Sequence, residues 1–274
     1  MYVGIDIGGT KTLLACLDDQ GVITQQQRFP TPKEYSTFLE KLAEGLKTFP
    51  RQGFKAGGVG VPGHIDQARG VSLGSAHVTW ADVPLKADCE KIFNCPFVID
   101  NDANLAGLSE AMLHKDYATV LYFTVSTGIG TGFIRNQRIE PALIKSEGGH
   151  IKLPYEGKLE VWENFAAGKA IYEHFGKKAS EITDKADWQF IARNLSLGFF
   201  DNIAILQPDL IVVGGSIGAY FDRYGEYLIA ELKRYETSLV PIPPVVKAQR
   251  PDSAVLYGCY DLAKQVHGRG QADS

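Results

Sequence analysis

The chain of 274 residues is long enough for one large domain or two modest ones, and its 45% hydrophobic and 22% charged content is that of an ordinary globular enzyme. A net charge of −4 with no long basic run gives no support for a nucleic-acid or membrane surface. No apolar stretch reaches the roughly 18 residues that span a bilayer, and the opening MYVGIDIGGT lacks a basic leader region, so a secretory signal is not expected and a cytoplasmic setting is.

Residues 2–7 (YVGIDI) read as a buried strand, Gly8 and Gly9 as a tight turn, and 13–18 (LLACLD) as the returning strand. DDQG (18–21) turns the chain into a third strand, VITQQQRF. Tyr35, Phe38, Leu39, Leu42, Leu46 and Phe49 recur at helical spacing over 33–49. AGGVGVPG (56–63) is a strand ending in a turn, PFVIDND (96–102) another strand, and ANLAGLSEAML (103–113) has helix-forming composition. A second hairpin follows. VLYFTVS (120–126) leads through TGIGTG (127–132) into GFIRNQRI, which turns at Asn136. The pattern repeats that of residues 3–22 and predicts an internal duplication. Helices are expected around 162–175, 186–206, 219–235 and 254–266, with a strand entering a glycine turn over 209–218, a short strand over 245–249 and a fraying polar tail, HGRGQADS. Of the four cysteines, Cys16 and Cys259 lie in apolar runs and read as core. Cys89 and Cys95 are not expected to pair, and the spacing disfavours a four-cysteine zinc site.

The expected architecture is therefore α/β, two mixed halves facing each other across a cleft with glycine turns at the strand ends. The first domain is placed at 1–116 plus 258–270 and the second, larger one at 117–257.

Several segments carry candidate chemistry. In Asp6-Ile7-Gly8-Gly9-Thr10-Lys11, paired glycines allow close backbone approach to a phosphate, Thr10 and Lys11 add a hydroxyl and a cation, and Asp6 suits Mg²⁺ directly or through water. The same residues also serve as a plain hairpin turn. No Walker A ending follows. Ser126-Thr127-Gly128-Ile129-Gly130-Thr131-Gly132 has more glycine than a hairpin needs and reads as a second phosphate loop. Gly214-Gly215-Ser216 follows the strand LIVV and fits a nucleotide base or ribose, or a simple turn. Asp100-Asn101-Asp102 closes a strand before a helix. One reading is an N-cap; the other has Asp102 receive the proton of a sugar hydroxyl while Asn101 orients the ring. Glu147 and His150, in Glu147-Gly148-Gly149-His150, can both address a polyol. Glu163 is either a first-turn helix carboxylate or a further hydroxyl ligand.

Taken together, GIDIGGTKT (4–12), GVGVPGHID (58–66), IDNDANLAGLSEA (99–111), STGIGTGFI (126–134), EGGHIKL (147–153), WENFAAGKAI (162–171) and PDLIVVGGSIG (208–218) resemble the ROK family of sugar kinases and repressors, within the actin–hexokinase–Hsp70 ATPase superfamily. The resemblance runs nearly end to end. It implies two ribonuclease-H-like domains, ATP and Mg²⁺ as cofactors, and a homodimer that closes on its sugar; the hinge is expected near 113–119 and 254–258, where the chain crosses between the two halves. It implies nucleotide phosphates at the loops of Gly8, Gly9, Thr10 and Lys11 and of Thr127 and Gly128, with Asp102 as catalytic base. It also implies sugar contacts from Asn101, Glu147, His150 and Glu163 and from the backbone around Gly63.

Three departures stand out. Family members typically carry a cysteine-rich zinc loop where this chain has only LPYEGKLEV (153–161), so zinc is not expected, and the shortening leaves the placement of Glu163 open. His77 stands three residues before Trp80, where the family often has Asn, so a sugar contact at His77 differs. No helix-turn-helix region precedes the first strand, which points away from the repressor branch. The leading expectation is ATP-dependent phosphorylation of a hexose, glucose foremost, with other hexoses and N-acetylhexosamines open. A polyphosphate-dependent glucokinase and a catalytically inactive sugar-binding regulator are the alternatives.

Overall fold

A computed structural model describes residues 1–50, 53–250 and 252–268. Contacts divide the chain into two units, Met1–Ser109 with the segment from Ser253 onward, and Glu110–Asp252. The exchanges fall at 109/110 and 252/253, where the sequence placed them at 116/117 and 257/258. Glu110 accounts for the earlier start: its fully buried carboxylate accepts the N–H groups of Gln249 (3.0 Å) and Arg250 (2.7 Å), which ties it to the second unit. The expected fraying tail and the expected domain end at 270 run beyond residue 268, and residues 269–274 lie outside the described residues.

The first unit opens with the antiparallel strands β1 (Tyr2–Ile7), β2 (Lys11–Leu17) and β3 (Ile23–Pro30). Helix α1 (Tyr35–Leu46) follows, burying Phe38 and Leu42 one turn apart. Strand β4 (Ala56–Val61) pairs parallel to β1, and β7 (Phe97–Asn101) parallel to β4, giving the order β3-β2-β1-β4-β7 once the hairpin β5 (His64–Asp66) and β6 (Val71–Gly74) is passed. That hairpin and helix α2 (Leu85–Phe93) go beyond the sequence expectation. Helix α2 is short and buries only Leu85, Cys89 and Phe93, a stripe too sparse to register as a pattern. Helix α3 (Asp102–Ala111) starts directly at the end of β7. Val3, Ile5 and Ile7 of β1 pack with Phe38, Leu42, Leu85 and Cys89 in one core.

The second unit repeats the plan with β8 (Thr119–Val125), β9 (Ile129–Arg135) and β10 (Arg138–Ile139). A separate hairpin, β11 (Lys152–Tyr155) and β12 (Lys158–Val161), precedes α4 (Glu163–Ala166) and α5 (Gly168–Phe175). Then come α6 (Lys185–Leu206), β13 (Leu210–Gly214), α7 (Gly215–Gly218), α8 (Phe221–Lys233) and β14 (Val245–Lys247). The sheet order, β10-β9-β8-β13-β14, matches that of the first unit position for position, with the same antiparallel and parallel senses. The duplication read in the sequence is thus a duplication of topology.

One expected element divides. The helical stretch 162–175 breaks at Ala167, whose backbone is extended (ψ 171°), because Gly168 N–H donates to Ser126 O at 2.7 Å instead of continuing the helix. In the segment 209–218, read as a strand entering a glycine turn, the strand ends at Gly214, and residues 215–218 turn as a short helix.

Helix α9 (Ala254–His267) returns to the first unit and lies on its sheet. The glycines of AGGVGV permit this: a Cβ on Gly58 would stand 2.6 Å from Cys259 O, and one on Gly258 only 2.0 Å from Leu105 O. All four cysteines are buried and free. Among the described residues no helix is long and apolar enough to cross a membrane.

Candidate active site

Each unit gathers candidate site residues at the C-terminal ends of its parallel strands. In the first unit the ladder aligns Asp6 of β1 with Gly60 of β4 and Gly60 with Asp100 of β7. Burial, then the nearby Asp102 carboxylate, push Asp6 up to about 7, against the pull of the Lys11 cation. Asp100 is 3% exposed and its carboxyl is raised to about 6 by burial, although Asn104 Nδ2 (2.9 Å) and Asn101 N (2.7 Å) donate to it.

The N-cap reading of Asn101-Asp102 holds structurally, since Asn101 Oδ1 and Asp102 Oδ1 both accept from Ala103 N–H, at 2.8 and 2.9 Å. It does not exhaust these residues. Asn101 Nδ2 reaches back to Gly63 O at 3.2 Å, joining two of the expected sugar positions. Gly63 adopts φ +89°, and a Cβ there would stand 2.3 Å from Gly74 O.

The first glycine loop closes on itself through Gly8 N–H to Lys11 O (2.9 Å). Thr31, which no local pattern singled out, fastens it: its hydroxyl donates to Gly8 O (2.6 Å) and its N–H to Thr10 O (3.1 Å). The exposed His77 lies against this loop, its carbonyl oxygen 2.7 Å from where a Cβ on Gly9 would be. The position expected to touch sugar therefore also borders a position expected to touch phosphate.

In the second unit, β8 and β13 are parallel neighbours, so the loops that leave them meet. Ser216 N–H donates to Ser126 Oγ (3.0 Å), and a Cβ on Gly215 (φ +82°) would stand 2.5 Å from Val125 O. Thr127-Gly128 and Gly214-Gly215-Ser216 are thus brought together, and their glycines are packed too closely against Glu163, Tyr122 and Val125 to accept a side chain. Ser126, read in the sequence only as the first residue of the second phosphate loop, is the residue whose hydroxyl joins the two glycine segments.

The polyol candidates also meet here. His150 Nδ1 lies 3.6 Å from Glu147 Oε2 and its Nε2 lies 3.4 Å from Glu163 Oε1. These separations exceed a good direct hydrogen bond, so all three groups keep capacity for hydroxyl partners. Glu163 Oε2 accepts Ile129 N–H at 3.1 Å, fixing the carboxylate to the glycine loop itself. Gly149 rests on the same residue, with a virtual Cβ 1.9 Å from Ile129 O, and Gly148 N–H donates to Thr131 Oγ1 (3.1 Å). Beneath Glu163, the fully buried Trp162 donates Nε1–H to Asn194 O (3.1 Å) and meets the stacked pair Phe123 and Phe199 edge-on.

Among the described residues no group of three or more His, Cys, Asp or Glu could hold a metal ion by itself. The Asp6–Asp102 pair fits a Mg²⁺ that draws its remaining ligands from phosphate oxygens and water, because a cation there offsets the burial of the Asp6 charge and, after it, the repulsion from Asp102.

Two α/β units of the same strand order, with glycine loops at their strand ends and the Glu163 carboxylate fixed to one loop, have the ribonuclease-H-like, actin-like ATPase architecture, and the chain is a sugar kinase of that class. The ROK family profile matches residues 2–266, and the chain belongs to the ROK family. It is 25% identical to a glucokinase of Streptomyces coelicolor, over 97% of this chain and 98% of that one. It is 30% identical to an N-acetyl-D-glucosamine kinase of Escherichia coli, over 94% and 97%. A ROK family glucokinase from Streptomyces griseus, solved in complex with glucose and AMPPNP, superposes with a TM-score of 0.82 at 23% identity, covering 96% of this chain and 99% of that one.

Proposed function

We propose that the protein transfers the γ-phosphoryl group of ATP to a hydroxyl of a hexose, glucose foremost and an N-acetylhexosamine next. The carrying observation is that Glu163 joins the two functions: one carboxylate oxygen holds the glycine loop at Ile129 N–H while the other faces His150. Hydroxyl ligands fixed to a phosphate-binding loop suit phosphoryl transfer, where positioning and charge neutralisation supply most of the catalysis.

In this reading Glu147, His150 and Glu163 hold ring hydroxyls, with Asn101, the Gly63 backbone and His77 as further sugar positions. Gly8, Gly9, Thr10, Lys11, Thr127, Gly128, Gly214, Gly215 and Ser216 take the nucleotide. Asp102 accepts the proton of the attacking hydroxyl, ionised at the N-terminus of α3 where the helix dipole favours its charge. Mg²⁺, held by Asp6 with Asp102 alongside, would neutralise charge on the phosphates. Homodimer formation belongs to the same proposal. It is supported by Ile205 (77% exposed) and Leu239 (81%), large apolar side chains left uncovered on the second unit.

The test is a coupled assay over a panel of hexoses and N-acetylhexosamines with ATP and with polyphosphate as donors. ATP-dependent turnover with kcat/KM highest for glucose supports the reading. Turnover with polyphosphate alone, or sugar binding without turnover, overturns it.

A further inference from the structure

We propose that the β11–β12 hairpin is the positioning device of the hydroxyl-binding cluster, and that Tyr155, a residue outside that cluster, sets the affinity for sugar. This rests on the reading of His150 and Glu163 as sugar ligands.

The hairpin separates these two residues in the chain and brings them together in space. Its ladder pairs Lys152 with Val161, and Trp162 N–H donates to Ile151 O (2.8 Å), so the pairing runs one step past the strands toward His150 and Glu163. The turn residues Glu156 (φ 49°) and Gly157 (φ 79°) both have positive φ, the geometry of a tight two-residue hairpin that fixes register. A one-residue slip would turn the wrong faces outward and separate the cluster.

Two contacts fasten the hairpin to α4. Tyr155 stacks on Phe165, with ring centroids 4.1 Å apart and planes 7° from parallel. Glu160 Oε1 accepts from Asn164 Nδ2 (2.9 Å) and from Val161 N–H (3.0 Å), and Lys158 pairs with the same carboxylate. Phe165 lies on the four-residue helix that Glu163 begins, too short to hold its orientation alone. The Tyr155–Phe165 stack therefore sets where Glu163 Oε1 stands relative to His150. The glycine loop, although Glu163 Oε2 accepts its Ile129 N–H, is also held by ties that do not run through the hairpin, Ser126 N–H to Gly128 O, Gly168 N–H to Ser126 O and Ser216 N–H to Ser126 Oγ, so loosening the hairpin displaces Glu163 Oε1 from His150 far more than it displaces the loop.

The experiment compares Tyr155→Phe, which keeps the stack, with Tyr155→Leu, which keeps apolar bulk without the ring, each alone and with His150→Gln. Melting temperature and the nucleotide KM serve as checks on folding. The expected result is a sugar KM raised about tenfold in Tyr155→Leu, with nucleotide KM within about twofold of wild type and Tyr155→Phe unchanged. In the His150→Gln background the Tyr155→Leu effect should vanish, because the tyrosine acts through that cluster.

An unchanged sugar KM in Tyr155→Leu while His150→Gln raises it overturns the inference and leaves the proposed function standing. Parallel rises in sugar and nucleotide KM, loss of binding of both ligands, or an effect of full size in the double variant also overturn it, since each marks a general structural role. An unchanged sugar KM in His150→Gln removes the underlying reading and the inference with it.

Discussion

Glu163 Oε1 stands 3.4 Å from His150 Nε2, although an entire β-hairpin separates the two residues in the chain. The segment is LPYEGKLEV, without cysteine, and its ladder pairing closes the gap.

Purified protein should accordingly contain no stoichiometric zinc and keep its melting temperature in chelator. His150 faces two carboxylates and no thiolate lies in the segment, short of the four ligands of a structural zinc site. Elemental analysis finding one zinc per chain would refute this.

Asp102→Asn should lower kcat by about 10²-fold or more while sugar affinity changes little, because the amide cannot take the hydroxyl proton. The capping contact to Ala103 N–H survives in the amide, so α3 should stay formed. Single-turnover kinetics and calorimetric sugar binding check both parts. A variant retaining more than about a tenth of wild-type kcat removes the base assignment.

Gly128→Ala should lower kcat/KM for sugar and nucleotide together, each by about tenfold. The added Cβ would lie 2.6 Å from Glu163 Oε2, so the carboxylate must swing off Ile129 N–H and away from its place beside His150. Steady-state kinetics with each substrate varied in turn would show it, and a loss confined to one substrate would break the proposed link.

The Asp100 carboxyl makes stability depend on pH. Its folded pKa, about 6, exceeds the unfolded value of 3.8, so the native state holds this proton more tightly. The resulting stability is complete below the unfolded value and is lost as pH rises through 6. Asp100→Asn keeps an acceptor for Asn101 N–H and Asn104 Nδ2 without the charge. Relative to wild type, it should gain on the order of 2–3 kcal/mol between pH 4 and pH 7.5, measured by urea denaturation. A difference that stays constant with pH would contradict the buried-charge account.

The local signals in this sequence were strong where geometry is local. Apolar alternation and paired glycines located both opening hairpins, and helical spacing located α1, because each follows from sterics within a few residues. Asp102 beside Asn101 was legible for the same reason: a strand end and a helix start adjoin in the chain. What lay beyond reach depends on pairing between distant segments. Ser126 receives Ser216 N–H only because β8 and β13 lie side by side, and Thr31 closes on Gly8 only because β3 folds back on β2. The break at Ala167 follows from the approach of Gly168 to Ser126, a contact that overrides the helix propensity of the surrounding residues. His150 and Glu163 each carried an ambiguous local reading, and the register of one hairpin made them a cluster. Sequence determined which residue types stood at the strand ends, and tertiary pairing decided which of them met, because register and close approach are fixed by contacts the chain makes with itself at long range.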